Sequence, residues 1–173
     1  GGKFTFVGKS NKKHEIEIND EEIPDLPALV MMCKDAKKGR NDDLFLFFDE
    51  EGNAQDVKAY HVNEYIQEAS GEKFTAKDFR TWGGTKLAAE EITLFKKKDD
   101  KKQRKKNITK MVKGVAKRLG NTPAVCRGSY IHPRFINDYL KGSFFRLWKD
   151  TLGEQMYPLS ESESHVIRYL ENS

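Results

Sequence analysis

The chain has 173 residues, a length that fits one domain with its own hydrophobic core. Hydrophobic residues make up 37% of it and charged residues 34%, which is typical of a globular protein with a charged surface. The sequence contains no apolar run near the ~18 residues of a membrane span and no recognisable signal peptide, so no membrane partner is expected. Two cysteines are too few for a disulfide framework or a metal set, so we expect a reducing, intracellular compartment.

Charge is unevenly distributed along the chain. The net charge is only +4, but the segment 96–106 (KKKDDKKQRKK) contains eight Lys or Arg and two Asp. That segment therefore carries +6 and the remainder about −2. A basic block on a near-neutral body indicates an anionic partner, although on charge alone a solvated linker or helix face explains it equally well.

The N-terminal region has the alternation that is typical of β-strands. Residues 3–7 (KFTFV) and 14–18 (HEIEI) alternate apolar and polar side chains, and a polar loop that begins with glycine separates them. This pattern predicts a β-hairpin over 3–18. Residues 44–48 (LFLFF) form a short apolar run before the turn-like DEEG, which predicts a third, buried strand.

Most of the remaining sequence has helical spacing and helix-capping signals. The clearest helix has its apolar face at Ile108, Met111, Val112, Val115 and Leu119. Further helices are predicted at 26–34, before Gly71, after the capping pair Thr75 and Asp78, from Thr122-Pro123 to Gly128, after Pro133, around Phe144 to Trp148, and after the capping pair Ser160 and Glu163. These elements predict an α+β fold, mainly α, in a single domain over 1–173, with a small N-terminal antiparallel β-sheet and a helical body over 24–173.

Several common catalytic patterns are absent from the sequence. It has no Gly-rich phosphate loop and no HExxH motif. Its four histidines are scattered, without the spacing of metal ligands. These absences favour a mechanism without a metal ion, and no cofactor is predicted.

Three parts of the sequence contain basic, amide and phenol side chains that could form one catalytic site. Lys9 lies in the hairpin loop, and Lys77 and Arg80 lie one helical turn apart. Asn121 precedes Tyr130 by nine residues. Each also has an ordinary explanation, because arginines on helices form surface ion pairs, Gly-Asn ends helices, and a tyrosine beside glycine and proline is usually a turn or core residue.

The wording of these stretches is specific. The strings FTAKDFRTWGGT (74–85) and LGNTPAVCRGSYIHP (119–133) resemble the two signature regions of bacterial type IB DNA topoisomerases. The string FVGKS…KKHE (6–15) resembles the lysine-bearing hairpin of that family. The match extends over nearly the whole chain in family order. It implies a helical catalytic domain of the kind that type IB topoisomerases share with tyrosine recombinases.

The resemblance implies a role for each matched residue. Tyr130 would attack a DNA backbone phosphate and form a 3′-phosphotyrosyl bond. Arg80 would bind the non-bridging oxygens through its guanidinium fork, and Asn121, which stands where many relatives have His, would donate a hydrogen bond to them. Lys9 would be the general acid for the 5′-oxygen leaving group, and Lys77 would assist as a nearby cation.

The resemblance also implies the partner and the surroundings of the reaction. Double-stranded DNA would be bound with help from Lys77, Arg127, Arg134 and Lys12, and supercoils would be relaxed without ATP, metal or other cofactor. A monomer in the cytoplasm, associated with the nucleoid, is expected.

One family feature has no counterpart in the sequence. The resemblance implies a first catalytic arginine upstream of the hairpin, but the first arginine here is Arg40, in the different context KKGRNDD. We therefore expect that arginine, and the N-terminal domain that closes the family's clamp on DNA, to lie outside this chain. Poor or no relaxation by the 173-residue chain alone is predicted.

Two other functions stay open on the sequence. A tyrosine recombinase would use the same nucleophile but would join two duplexes at a defined site. A non-catalytic DNA-binding module would use the basic segment 96–106 and form no covalent product.

Overall fold

A computed structural model of the chain describes residues 2–8, 11–18, 25–37, 44–95 and 100–172. Contacts within it divide the chain into two compact units, Gly1–Lys73 and Phe74–Ser173, which are described separately. The described residues are mainly helical, with two small antiparallel sheets, so the predicted fold class is confirmed. That 1–173 works as one catalytic domain stays a prediction. Among the described helices, none is long and apolar enough to cross a membrane.

The first unit begins with the predicted hairpin. Strands β1 (Gly2–Gly8) and β2 (Lys12–Ile18) pair antiparallel, with Phe4 opposite Ile16. This register places the apolar positions of both strands on one face, as their alternation predicts. Helix α1 (Leu26–Lys37) follows and runs three residues past its predicted end at Lys34.

The sequence predicts only one strand of the second hairpin. Strand β3 (Leu46–Phe48) falls within the predicted 44–48 and pairs antiparallel with β4 (Ala54–Asp56), whose polar sequence gives no strand signal. The prediction that this strand is buried is wrong, since Phe48 is 57% exposed. Two short strands cover too little area to bury both faces of an apolar run. Helix α2 (Ala59–Ser70) ends as predicted at Gly71, whose φ is 69°.

The second unit is a set of helices packed around one core. The helices are α3 (Ala76–Thr93), α4 (Lys101–Arg118), α5 (Pro123–Val125), α6 (Pro133–Lys141), α7 (Phe144–Asp150) and α8 (Glu161–Glu171). The predicted apolar face of α4 is buried at Ile108, Met111, Val112 and Val115, while Leu119 is partly buried just past the helix end. Aromatic side chains from α6, α7 and α8 complete the core: Phe135, Tyr139, Phe144, Trp148 and Tyr169.

Reciprocal side-chain caps begin α3 and α8, as predicted. The Asp78 carboxylate accepts the Thr75 N–H (2.9 Å), and the Glu163 carboxylate accepts the Ser160 N–H (3.0 Å) and hydroxyl (2.6 Å). The hydrogen bonds from Ser160 lower the pKa of Glu163 to about 2. The start of α3 is therefore fixed, and with it the position of the residues along this helix.

The predicted helix end at Gly128 is wrong. After α5 the backbone widens into a π-helical turn, Cys126–Tyr130, which is closed by a hydrogen bond from the Ile131 N–H to the Cys126 carbonyl (3.0 Å). Gly128 does not take the left-handed φ that ends a helix. The turn ends instead where Ile131 becomes extended (φ −109°, ψ 121°). Single π-turns of this kind are frequent at functional sites.

Candidate active site

The side chain of Arg80 reaches from α3 to the end of α4. It is exposed, and its Nη2 donates a hydrogen bond to the Leu119 carbonyl oxygen (2.6 Å). Carbonyl groups at a helix C-terminus lack partners within the helix and carry its partial negative charge. The Arg80 guanidinium therefore lies at the C-terminal end of α4, and the hydrogen bond there uses one of the five N–H donors of the guanidinium.

Asn121 meets Arg80 at the same carbonyl. Gly120, with φ at 64°, turns the chain after α4, and the Asn121 N–H returns to the Ala116 carbonyl (2.9 Å). The Asn121 Nδ2 then donates to the Leu119 oxygen (3.1 Å). Two of the predicted site residues, far apart in sequence, therefore direct N–H donors at one oxygen atom.

Tyr130 lies beside Arg80 as the last residue of the π-turn. The Arg80 Cζ is 5.4 Å from the centroid of the Tyr130 ring, and the tyrosine is partly buried against the core. Three of the four predicted catalytic residues, Tyr130, Arg80 and Asn121, therefore come together within the second unit. The fourth, Lys9, lies outside the described residues.

Two residues that the sequence reasoning missed connect α3 to Tyr130. Gly84 approaches the Tyr130 backbone so closely that a Cβ on it would lie 2.5 Å from the Tyr130 carbonyl oxygen. Thr85, which is 3% exposed, donates its hydroxyl to that oxygen (3.3 Å) and accepts the His132 N–H (3.1 Å). The signal in the sequence is the pair Gly83-Gly84, since two glycines inside a helix lower its stability and so need a packing reason.

Another titratable group close to this cluster is the thiol of Cys126. Cys126 begins the π-turn and is fully buried. Burial raises the pKa of the Cys126 thiol, and the positive charge of Arg80 partly offsets this rise. The thiol is therefore an inert core group at neutral pH.

The predicted DNA-binding residues have different surroundings. Lys77 on α3 and Arg127 on the π-turn are exposed. Arg134 is engaged within the unit, because its Nε contacts Asp138 (3.4 Å) and its Nη1 donates to the Leu170 carbonyl (3.1 Å). Its role on DNA stays a prediction. Lys12 begins β2, and its side chain lies outside the described part of the structure.

Helix α4 carries a strongly basic face. It contains nine Lys or Arg and no Asp or Glu. Five lysines spaced four, four, three and four residues apart form one stripe opposite the buried face, here called the lysine face: Lys102, Lys106, Lys110, Lys113 and Lys117. The face is ~22 Å long at 1.5 Å per residue. Like charges one turn apart destabilise a helix, so the row of lysines lowers the stability of α4.

The basic segment predicted at 96–106 is in part the start of this helix. Residues 101–106 form the first turns of α4, which Asp100 caps by accepting the N–H groups of Lys102 and Gln103 (both 3.0 Å). Residues 96–99 lie outside the described residues. Within the described ranges no three His, Cys, Asp or Glu side chains gather as a metal-binding group.

Comparison with known families identifies the class of protein. Residues 2–142 match the family model described as "Eukaryotic DNA topoisomerase I, catalytic core". The chain therefore belongs to this family and carries a type IB topoisomerase catalytic core. A relative, the DNA topoisomerase 1B of Acanthamoeba polyphaga mimivirus, is 33% identical over 135 residues, which cover 74% of this chain and 38% of the relative. The chain thus spans well under half of that relative's length.

These comparisons confirm the type IB resemblance that the sequence strings indicate. They do not support the expectation of a bacterial type, because the relative is viral and the matching family model is described as eukaryotic.

Proposed function

We propose that this chain cuts and reseals one strand of duplex DNA through a covalent bond between Tyr130 and a 3′-phosphate, and so relaxes supercoils without ATP or metal. The proposal rests mainly on one observation. Arg80 and Asn121 direct donors at a single oxygen atom, while the Tyr130 ring lies 5.4 Å from the Arg80 Cζ. A nucleophile beside preorganised donors for phosphate oxygens is what phosphoryl transfer requires.

In the cutting step the Tyr130 Oη would attack the phosphorus, and the bond from phosphorus to the 5′-oxygen would break. The Tyr130 phenol would pass its proton to water as it attacks, and the neighbouring Arg80 cation would stabilise the negative charge that develops on its oxygen. When DNA binds, a non-bridging phosphate oxygen would replace the Leu119 carbonyl as the acceptor of the N–H groups of Arg80 and Asn121. The exchange would be favourable because charge-assisted hydrogen bonds are roughly twice as strong as neutral ones. The Asn121 amide would only donate, because an amide cannot transfer a proton at neutral pH.

The 5′-oxygen would need a proton as it leaves. Lys9 would supply it as general acid, with Lys77 as a second cation near the phosphate. Resealing would reverse these steps: the 5′-hydroxyl attacks the phosphotyrosine, its proton returns to the lysine, and Tyr130 is released. The covalent bond keeps the energy of the cut linkage, so no ATP is required.

Binding of the duplex would be mainly electrostatic. The lysine face, together with Lys77, Arg127, Arg134 and Lys12, would neutralise phosphates and release their counterions. The lysine face supports double-stranded DNA as the substrate, and we propose that the chain binds it as a monomer. Such contacts give affinity without reading base sequence.

A further arginine upstream of the hairpin would complete the transition-state contacts. Removing one preorganised charge stabiliser typically costs about 3–4 kcal/mol, or a rate factor of ~10²–10³. The chain alone would then form the covalent adduct slowly and relax supercoiled plasmid poorly. Rapid relaxation by the chain alone in EDTA would contradict this part of the proposal.

The experiment that tests the proposal uses a suicide duplex. Its short downstream fragment, which carries the new 5′-hydroxyl, diffuses away after cutting and so traps the adduct. The chain is incubated with it in EDTA for times up to a day, and covalent adduct is counted on a denaturing gel. We expect adduct with the wild type and with Tyr157→Phe, a matched control at a tyrosine that is 94% exposed. We expect none with Tyr130→Phe. Adduct that persists in Tyr130→Phe would contradict the proposal.

A non-catalytic DNA-binding module is the second candidate, because the lysine face needs no nucleophile to bind DNA. It predicts salt-dependent binding without adduct, even when the upstream portion of a relative is added in trans. A tyrosine recombinase would instead give site-specific products from two duplexes.

A further inference from the structure

One side chain of α3, that of Thr85, forms hydrogen bonds to the backbone on both sides of Ile131. The Thr85 hydroxyl donates to the Tyr130 carbonyl oxygen (3.3 Å) and accepts the N–H of His132 (3.1 Å). The first group stands at the end of the π-turn and the second at the N-cap of α6, so both would otherwise lack helical partners. A single buried hydroxyl thus satisfies one acceptor and one donor from the segment that carries Tyr130.

Gly84 makes this bridge possible by letting the two backbones meet. A Cβ at this position would lie 2.9 Å from the Tyr130 Cβ as well as 2.5 Å from its carbonyl oxygen. Because no side chain fits between α3 and Tyr130, their separation is set by backbone contact. Such a contact has little freedom to adjust.

The same helix carries Arg80. Arg80 and Gly84 are four residues apart and so share one face of α3, with Thr85 next to Gly84. The separation between the backbones of Arg80 and Tyr130 is therefore set by one helix and two hydrogen bonds. While these bonds hold, only rotation of the Tyr130 or Arg80 side chain can change the distance between the hydroxyl and the guanidinium.

We infer that Thr85 is the positioning residue that holds the nucleophile Tyr130 at a fixed place relative to Arg80. The absence of a side chain at Gly84 lets Thr85 come close enough to the Tyr130 backbone to do so. The inference rests on the proposed function of Tyr130, and it adds a residue that does not touch the reacting atoms. Its role in both directions of the reaction is the same, because cutting and resealing need the same alignment of the tyrosine oxygen, the phosphorus and Arg80.

The test compares variants that differ in the hydroxyl. Thr85→Val keeps the shape and removes the donor and acceptor, Thr85→Ser keeps both, and Thr85→Cys offers a weak donor and a weak acceptor. The matched control is Thr93→Val on the same helix, whose hydroxyl donates to the Glu90 carbonyl (2.7 Å). Each variant is mixed in excess with the suicide duplex at a temperature where tryptophan fluorescence shows it folded. The single-turnover cutting rate and the DNA Kd are then measured separately.

We expect Thr85→Val to cut about 10- to 100-fold more slowly, the size of effect that a displacement near 1 Å produces. Its DNA Kd should stay within about twofold, Thr85→Ser and Thr93→Val should cut nearly as fast as the wild type, and Thr85→Cys should be intermediate. A folded Thr85→Val that cuts at the wild-type rate overturns the inference. If Thr85→Val does not fold, equal rates for Thr85→Cys and Thr85→Ser overturn it.

The failure of this inference is distinguishable from that of the proposed function. A wild-type chain without any Tyr130 adduct contradicts the proposed function itself. Wild-type adduct that forms at the same rate in every Thr85 variant contradicts only the positioning role.

Discussion

Gly83 and Gly84, neighbours on α3, should respond to alanine in opposite directions. At Gly84 an added Cβ would lie 2.5 Å from the Tyr130 carbonyl oxygen and 2.9 Å from the Tyr130 Cβ. At Gly83 it would meet nothing within 4 Å. The atoms in the way at Gly84 are backbone and Cβ rather than the end of a flexible side chain, so only a shift of the π-turn away from α3 relieves the overlap.

The size of the difference follows from these contacts. Overpacking a well-packed interior typically costs about 1–3 kcal/mol. A shift of the π-turn would also lengthen the two Thr85 hydrogen bonds, each worth roughly 1 kcal/mol. Alanine in place of glycine within a helix returns roughly 0.5–1 kcal/mol. Gly84→Ala should therefore destabilise the second unit by about 3 kcal/mol, whereas Gly83→Ala should stabilise it by about 0.5–1 kcal/mol.

Urea unfolding followed by tryptophan fluorescence measures both variants, because both tryptophans of the chain, Trp82 and Trp148, lie in the second unit. The two free energies of unfolding should differ by about 3–4 kcal/mol. If they differ by less than about 1 kcal/mol, roughly the helix-propensity effect alone, the close approach of α3 to Tyr130 is not present in solution.

Three further predictions concern binding, proton transfer and acid stability. Replacing Lys106, Lys110 and Lys113 with Gln should reduce the steepness of log K for duplex DNA plotted against log salt concentration. The reduction should be up to ~2.7, because each lost phosphate contact removes ~0.9. The control Lys149→Gln on α7 should leave the slope unchanged. An unchanged slope in the triple variant would remove the lysine face from the DNA interface. Lys9→Ala should slow cutting by ~10²–10⁴ on normal DNA, but far less when sulfur replaces the 5′-bridging oxygen, because a thiol with a pKa near ~8.5 leaves without a proton. An equal loss on both substrates would exclude Lys9 as the general acid. The pKa of Glu163 is lowered to about 2 in the folded chain. The ionised Glu163 carboxylate therefore stabilises the folded state fully above the unfolded pKa of a glutamate, near ~4.3, and this stabilisation is lost as the pH falls toward 2. Glu163→Gln should therefore unfold more readily than the wild type at pH 7 and equally at pH 2, and a constant difference across this range would contradict the lowered pKa.

The helices could be predicted largely because their signals are local. The apolar face of α4 repeats with the helical period, and the caps at Thr75 and Ser160 use residues three positions apart. The helix end predicted at Gly128 is wrong, because a π-turn has no strong local signature and glycine there is compatible with both continuing and ending a helix. Strand β4 was not predictable, since its polar residues are held by pairing with β3 rather than by their own preference.

The candidate site could be predicted only in part, because its geometry is long-range. The sequence strings point to Tyr130, Arg80 and Asn121 by resemblance. Nothing local shows that Arg80 and Asn121 share the Leu119 carbonyl, since that depends on how α3 packs against the end of α4. The bridge from Thr85 to Tyr130 spans 45 residues of sequence and becomes visible only when the backbones are placed together.

In the proposed mechanism one atom of the chain carries the DNA, the phenol oxygen of Tyr130. The adduct trapped on a suicide duplex in EDTA is digested with nuclease and protease, and the remaining nucleotide is located by tandem mass spectrometry. The proposal predicts a 3′-nucleotide on the phenol oxygen of Tyr130 and on no other residue. A nucleotide on another side chain, or one attached through its 5′-phosphate, would contradict it.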